Sequence, residues 1–457
     1  MSKYSAPAPN AGMAMGPPMA MRRVAADSHP PLAQWTFIAF FLFTLMNVAP
    51  LIQRELTGEA VPLQPIAFLL TTFIVIPLTR SKPLTFYFLV AWIYWLLFAI
   101  GGFLGPDRLA GFGDKGLYQL IFKLWITLVG LPLFLLRTIS AEKLPMVVRT
   151  GVLAAVSGGL FSMAQMVFKS RLGRFSSEVG RGAGYWIDPN SCAHALTFFL
   201  FLSFAFPFKA KSTNLTVRGI LVLGILTTLS RTGLILLPVG FLAFAIAAKR
   251  MRIFFQVGAS LAVVLIAGNI LVTLLQPGTG AGSSLEGEKS SRRLNRFSNM
   301  LQGKVSDGEG ERSRMDRTAL WSYGWEAVMR EPFLGRGHRF MDSVCPIGDG
   351  IGPHNYYLFV WGNSGILALG SFLLFLFTLF RMGRQCTNAN AKPAMIAITT
   401  MMACIAMADH AIMNVQFLGC VLAIMVGIHY YYRAPTGARA AARQPMPSLV
   451  GMPRPRA

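Results

Sequence analysis

Charged residues are scarce in this chain. They make up 13% of its 457 residues, and only 19 residues are acidic, whereas soluble proteins carry about 25% charged residues. A mean hydropathy of +0.51 and repeated apolar runs of about 20 residues indicate a polytopic membrane protein instead. The composition therefore excludes soluble enzymes, fibrous proteins and disulfide scaffolds.

Cysteine is also rare, and its spacing carries no signature. Four of the five cysteines lie in or beside apolar runs, so neither a disulfide framework nor a zinc site is expected. They are Cys192, Cys345, Cys386, Cys404 and Cys420. The sequence leaves the pairing of Cys345 open, with Cys192 as its one plausible partner.

The formal net charge is strongly positive, at +23. In a membrane protein this excess indicates topology and contact with anionic lipids first, and an anionic substrate second. Nucleic acid is not an expected partner.

Twelve apolar runs predict an all-α fold, a bundle of about twelve transmembrane helices. Residues 217–248 are too long for one span and are divided by Ser230-Arg231-Thr232, which predicts two short helices that meet at a polar turn. The runs cover residues 33–52, 61–79, 84–104, 117–136, 144–168, 191–208, 214–230, 232–248, 253–276, 358–380, 394–412 and 414–432.

The charges between the runs predict the orientation. With the N-terminus in the cytoplasm, basic clusters such as Arg80 with Lys82, and Lys249 with Arg250, fall on the inner side, as the positive-inside rule requires. The resulting domains are a disordered cytoplasmic tail (1–32, without the features of a cleavable signal peptide), spans 1–9 (33–276), a large periplasmic loop (277–357), spans 10–12 (358–432) and a basic cytoplasmic tail (433–457).

Three segments are then exported: residues 169–190, the Ser230-Arg231 turn and the large loop. In the large loop, residues 277–310 have the composition of a solvated linker, whereas an amphipathic helix follows from Arg317. We expect it to lie on the membrane surface or cap the bundle. Its predicted apolar face contains Leu320, Trp321, Gly324, Trp325 and Val328.

Arginines in the exported segments are candidate anion ligands, because a guanidinium group binds phosphate through a planar pair of donors. Arg231 lies between two short apolar halves, far from the cytoplasmic basic clusters. Arg174 and Arg181 belong to a short external loop whose positive charge opposes the usual bias. The alternative is a solvated loop in contact with phospholipid head groups.

His354 is the candidate general base. It precedes Asn355 and Tyr356 where the large loop re-enters the membrane, and a histidine with an ordinary pKa near 6.5 at the outer interface suits proton transfer. Asp409 and His410 form a weaker candidate, because adjacent residues of a helix do not face each other. His194 is expected to be structural.

Four motifs in order resemble the O-antigen ligase and Wzy-type polysaccharide polymerase superfamily. They are Asp188-Pro189-Asn190 opening a helix, Leu229-Ser230-Arg231-Thr232-Gly233 between two helices, Arg317 to Gly337 in the large loop, and Pro353-His354-Asn355-Tyr356-Tyr357-Leu358 followed by Gly365 and Gly370. The chain departs from the family at Asn363 and Ser364, where members often carry an acidic residue, and at Gly370, a shifted small residue.

The resemblance implies a GT-C-like glycosyltransferase in the bacterial inner membrane, with its active site facing the periplasm. The implied donor is a saccharide on undecaprenyl diphosphate, and the implied acceptor is another saccharide or lipid A core. The reaction would invert the anomeric centre and use no metal or cofactor; membrane lipids and a chain-length regulator are further expected partners. His354 would be the catalytic base, Arg231 and Arg317 the diphosphate ligands, and Arg174, Arg181, Asn190, Asn355 and Tyr356 the remaining substrate ligands.

Three functions remain open at this point. Polymerisation of exopolysaccharide or O-antigen repeat units is favoured, since the chain has no dedicated protein-acceptor domain, and an O-antigen ligase is the alternative within the family. A transporter or flippase is disfavoured, because we find no inverted repeat and no matching pair of broken spans. A structural component of an assembly complex would tolerate replacement of His354.

Overall fold

The computed structural model describes most of the apolar part of the chain. The described residues are 30–52, 63–79, 85–105, 114–168, 176, 181–252, 254–256, 258, 309–338, 340–343, 352–409 and 412–433. Within these ranges the chain is all-helical and has no β-strand. The predicted fold class is therefore confirmed.

The helices follow the predicted apolar runs closely. They are α1 (Pro31–Leu45), α2 (Val48–Ile52), α3 (Leu63–Leu78), α4 (Phe86–Leu104), α5 (Asp114–Trp125), α6 (Leu131–Thr138), α7 (Leu144–Val167), α8 (Pro189–Ala205), α9 (Lys211–Thr227), α10 (Arg231–Ala248), α11 (Glu309–Arg330), α12 (Phe340–Ser343), α13 (Tyr356–Gln385), α14 (Ala391–Ala408) and α15 (Gln416–Tyr432). A π-helical turn, Ile126–Gly130, joins α5 to α6.

Six helical stretches are long and apolar enough to cross a membrane. They are Phe86–Leu104, Leu120–Thr138, Leu144–Val167, Arg231–Ala248, Tyr356–Gln385 and Ala391–Ala408. Helices α1, α3 and α15 are also apolar but shorter. The ninth run, 253–276, lies almost wholly outside the described residues, so the count of twelve spans and the periplasmic position of the large loop stay predictions.

Helix α15 occupies the centre of the bundle. Its residues from Phe417 to Ile428 are all buried, and they are apolar all round, as a helix without a solvent face must be. Around it, α14 packs against α10 and α13, and α8 packs against α7 and α9. Helix α3 instead leaves large apolar side chains such as Leu70 and Phe73 exposed, which suits contact with lipid.

One end of the bundle, called here the loop end, collects the polar motifs. It contains the C-termini of α4, α9 and α14 and the N-termini of α8 and α10. The charge pattern predicts that this end faces the periplasm.

Helix α13 is interrupted at Gly365, whose φ of 82° and ψ of 176° are not helical. The ring of Tyr356 lies 5.0 Å from that of Phe372, although a straight helix would hold these residues about 24 Å apart. Residues 356–364 therefore fold back along the following part of the helix. The tenth predicted span is a broken helix, with its turn at the loop end.

Candidate active site

A hydrogen-bond network joins the exported loop before α8 to the turn between α9 and α10. Arg181 donates through Nε to the Thr228 carbonyl oxygen at 2.7 Å and through Nη2 to Asn190 Oδ1 at 3.1 Å. Ser230 Oγ is 2.8 Å from the same Asn190 oxygen. Three predicted site residues, Arg181, Asn190 and Arg231, are thereby held at one place, with Arg231 exposed at the start of α10.

Buried polar groups fix the backbone of this loop. The Gln165 side chain on α7 accepts hydrogen bonds from the Ala183 and Gly184 amides at 2.7 and 2.9 Å. The Gly182 amide donates to the Thr227 carbonyl at 3.0 Å. These contacts satisfy buried backbone groups and hold Arg181 against α9. The sequence gave no signal for Gln165, because its partners lie in another segment.

The three motif helices begin in the same way. Asp188, Ser230 and Asn355 cap α8, α10 and α13 by accepting a hydrogen bond from a backbone amide in the first turn. Such caps satisfy otherwise unpaired amides at helix starts. The two motifs that were predicted to open helices, at Pro189 and Arg231, are confirmed.

The residue before each of these caps has a left-handed backbone. Ile187, Leu229 and His354 have φ values of 64°, 50° and 46°, a conformation that costs non-glycine residues free energy. Strained residues of this kind persist where the surrounding structure fixes them, and they are frequent at functional sites. His354 is half-buried and is fixed by Pro353 before it and the capped helix after it.

Asn355 and Tyr356 hold the start of α13. Asn355 Oδ1 accepts from the Leu358 amide at 3.1 Å. The hydroxyl of Tyr356 lies 2.6 Å from that of Tyr94 on α4, and both tyrosines are buried. The contacts seen for these two predicted substrate ligands thus position His354; a contact with the sugar stays a prediction.

A glycine-rich segment, residues 332–338, packs against the break in α13. The Pro332 carbonyl accepts hydrogen bonds from Trp361 Nε1 at 2.8 Å and from the Ile366 amide at 3.0 Å, on either side of the break. Gly335, with φ of 73°, lies against Gly365. The segment therefore stabilises the turn that folds the His354 end of α13 back on itself.

The unusual residues before Gly365 have packing roles. Asn363 is fully buried and accepts from the Met341 amide at 3.1 Å, while Ser364 Oγ donates to the Phe98 carbonyl at 3.0 Å. A carboxylate at Asn363 would be buried beside these groups at a high desolvation cost. This environment explains the departure from the family pattern at this position.

Helix α14 connects the two parts of the site. Ala403 accepts a hydrogen bond from the Tyr357 hydroxyl at 3.0 Å, three residues after His354. At the end of the same helix, Asp409 Oδ2 lies 3.9 Å from His194 Nδ1 on α8, one helical turn from Asn190. The structure thus pairs Asp409 with His194; His410, its neighbour in the sequence, lies outside the described residues.

Two predicted arginine ligands are not described. Arg174 lies outside the described residues, and Arg317 lies in α11 at a position whose side chain is outside them too. Their roles stay predictions. Cys345 also falls outside the described part of the chain, and Cys192 is buried as a free thiol.

The predicted apolar face of α11 was too wide. Leu320, Gly324 and Val328 are buried against the bundle, as expected, but Trp321 and Trp325 are 42% and 50% exposed. Each tryptophan follows a buried residue, and one position along a helix turns the side chain by about 100°. Trp325 still contacts Trp361 edge to face, with ring centroids 5.7 Å apart.

Within the described ranges, no group of three His, Cys, Asp or Glu side chains could hold a metal ion. A reaction without metal or cofactor remains a prediction.

His338 is buried at the loop end in an apolar environment. Its ring lies 4.7 Å from the Phe98 ring, its amide bonds the Gly102 carbonyl, and among the described residues neither ring nitrogen has a hydrogen-bond partner. Burial lowers the pKa of His338 to about 4 from its ordinary value of 6.5. The imidazole is therefore neutral at physiological pH and fills space beside Gly102.

Acid is expected to destabilise the packing of His338. Between pH 6.5 and about 4 the unfolded chain binds a proton that the folded chain does not, so up to about 3 kcal/mol of stability, present above pH 6.5, is lost on acidification. Thermal unfolding of the purified protein across this range would measure the loss. His338→Gln should lose less stability than wild type; equal acid sensitivity would contradict the assignment.

The comparison with known families covers the second part of this site. Residues 217–373 match the family model described as O-antigen ligase. No curated protein matches the chain. The matched stretch includes Arg231, Arg317, His354 and Gly365 but not Arg181, Asn190, His194 or Asp409. Residues 217–373 are therefore an O-antigen ligase domain, and the chain's resemblance to the O-antigen ligase-like superfamily is confirmed.

Proposed function

We propose that this protein is an inner-membrane glycosyltransferase that transfers a saccharide from undecaprenyl diphosphate to an acceptor hydroxyl. The favoured reaction is polymerisation of exopolysaccharide or O-antigen repeat units, and attachment of the polymer to lipid A core is the alternative. The O-antigen ligase domain supports the general class. The convergence of two helix N-termini with arginine side chains at the loop end carries the proposal.

This convergence suits a diphosphate. The starts of α8 and α10 meet through the hydrogen bond between Ser230 and Asn190, and each helix N-terminus carries a partial positive charge. Arg181 is anchored to the same asparagine, and Arg231 is the first residue of α10. Guanidinium groups stabilise the charge that develops on a departing diphosphate.

The proposed reaction is a direct displacement. The acceptor oxygen attacks the anomeric carbon while the bond from that carbon to the diphosphate oxygen breaks. The acceptor proton passes to the imidazole of His354, and the lipid diphosphate leaves with one additional negative charge. Attack from the opposite face inverts the anomeric centre. The described residues around the site supply the base and the cationic groups, which supports a mechanism without a metal.

Reconstitution with a single substrate tests the proposal. The purified protein in vesicles receives its lipid diphosphate-linked repeat unit, and product length is followed. Extension of the lipid-linked chain would support a polymerase, whereas transfer only after addition of lipid A core or a protein acceptor would support a ligase. No transfer, with movement of the lipid across the membrane, would overturn the proposal in favour of a flippase.

Removal of Arg231 should weaken donor binding. Arg231→Ala is expected to raise the KM for the lipid-linked donor about 10- to 100-fold, because a charge-assisted hydrogen bond to phosphate is lost. The KM in steady-state transfer assays measures the effect. Arg250→Ala, an exposed arginine just beyond the opposite end of α10, is the matched control and should change the KM little. Equal effects of the two substitutions would contradict a specific role for Arg231.

A further inference from the structure

His194 is a buried histidine with unsatisfied ring nitrogens. It is 1% exposed, and neither Nδ1 nor Nε2 has a hydrogen-bond partner among the residues that the structure describes. Burying a polar group without partners costs free energy, so each such case in a native protein calls for an explanation. The proposed reaction does not use this residue.

The nearest charge to His194 is the carboxylate of Asp409. His194 Nδ1 and Asp409 Oδ2 are 3.9 Å apart, a separation that favours the protonated imidazole. Asp409 is 19% exposed, so it gives the buried ring a solvent-facing neighbour. The pair therefore joins a protected site for a proton to the surface of the loop end.

The other charged groups around His194 belong to four packed segments. Asp188, at the start of α8, adds a second carboxylate nearby. Arg231 begins α10, and Arg181 precedes α8. Arg149 of α7 bonds the Pro207 carbonyl, beyond the opposite end of α8. Two carboxylates and two arginines thus determine the electrostatic environment of the imidazole at the loop end.

His194 lies directly below the proposed diphosphate site. Asn190 and His194 are four residues apart in α8 and share one face of the helix. Between them, Ala193 contacts α10 so closely that a Cβ added to Gly233 would lie 2.6 Å from the alanine Cβ. The imidazole is therefore one helical turn from the asparagine that binds Arg181 and Ser230.

We propose that the His194–Asp409 pair is a proton-binding element of the diphosphate site, and this inference rests on the proposed function. His194 takes up a proton from solvent, forming an N–H bond, when the diphosphate binds. The imidazolium then adds a positive charge to those of Arg181 and Arg231. It compensates the negative charge that the diphosphate gains on leaving, and the proton is released with the product.

Proton uptake on ligand binding tests the inference directly. Inorganic diphosphate is titrated into the full-length protein in nanodiscs, and calorimetry in buffers of different ionisation enthalpy gives the protons taken up. The wild type should take up more protons than His194→Gln near neutral pH. It should also bind about tenfold more tightly there than the variant, the effect of one added charge-assisted contact, and the difference should vanish at alkaline pH. Comparison at each pH cancels protonation of the ligand itself.

A second variant keeps the test valid if His194→Gln is unstable. Asp409→Asn retains the shape of the carboxylate and should reduce proton uptake near neutral pH, because the charge that favours the imidazolium is removed. Equal uptake by folded wild type and variants, or no diphosphate binding by wild type, would overturn the inference. Normal binding and uptake without sugar transfer would overturn the proposed function but support this inference.

Discussion

Replacement of His354 by alanine is expected to slow saccharide transfer by about 10²- to 10⁴-fold, the usual contribution of a general base. His354 is half-buried and lies between Pro353 and the cap of α13. The substitution removes the proton acceptor and leaves the arginine network at Asn190 intact. The KM for the donor should therefore change much less than kcat.

The test of His354 compares kcat and KM in the reconstituted assay. His29→Ala removes a histidine from the N-terminal part of the sequence and serves as the matched control, with no expected change. If His354→Ala transferred saccharide at the wild-type rate, the proposed base would be wrong. The same loss in kcat with a lower melting temperature would instead indicate a folding defect.

Gly365→Ala is expected to disrupt the loop end. The backbone of Gly365, with φ of 82° and ψ of 176°, lies in a region that is accessible almost only to glycine. An added Cβ would also lie 2.7 Å from the carbonyl carbon of Phe333. Strain and overlap together should cost about 3 kcal/mol or more, lowering thermal stability and abolishing transfer because the turn positions residues 356–364.

The same helix provides a matched control for this substitution. Gly370 is exposed, has helical geometry and has nothing within 4 Å of an added Cβ. Gly370→Ala should leave stability unchanged or raise it by up to about 1 kcal/mol, since alanine favours helix over glycine. Thermal unfolding and elution from size-exclusion chromatography compare the two variants. Similar behaviour of both would show that the break at Gly365 is not required.

The proposed site depends on α14 as much as on the motif helices. This helix receives the Tyr357 hydroxyl at Ala403 and presents Asp409 to His194 at its end. A displacement of α14 would therefore move residues near His354 and near Asn190 together. Coupling of this kind would relate diphosphate binding to the position of the base.

The motifs predicted helix starts better than they predicted contacts. Asp188-Pro189-Asn190 and Ser230-Arg231 each combine a capping residue with an apolar run, and both signals lie within a few residues of sequence. The helices α8 and α10 begin there. In contrast, Trp321 and Trp325 were expected on the buried face of α11 and are exposed, because the width of that face depends on the neighbouring helices.

The sequence by itself determined the helical membrane class, most helix positions and the candidate residues at the loop end. These follow from runs of apolar residues and from local caps, which act over short stretches of chain. Only the tertiary structure decided that Arg181 binds Asn190, that Asp409 faces His194 and that α13 turns back at Gly365. Such contacts join segments far apart in sequence, and they depend on how the helices pack.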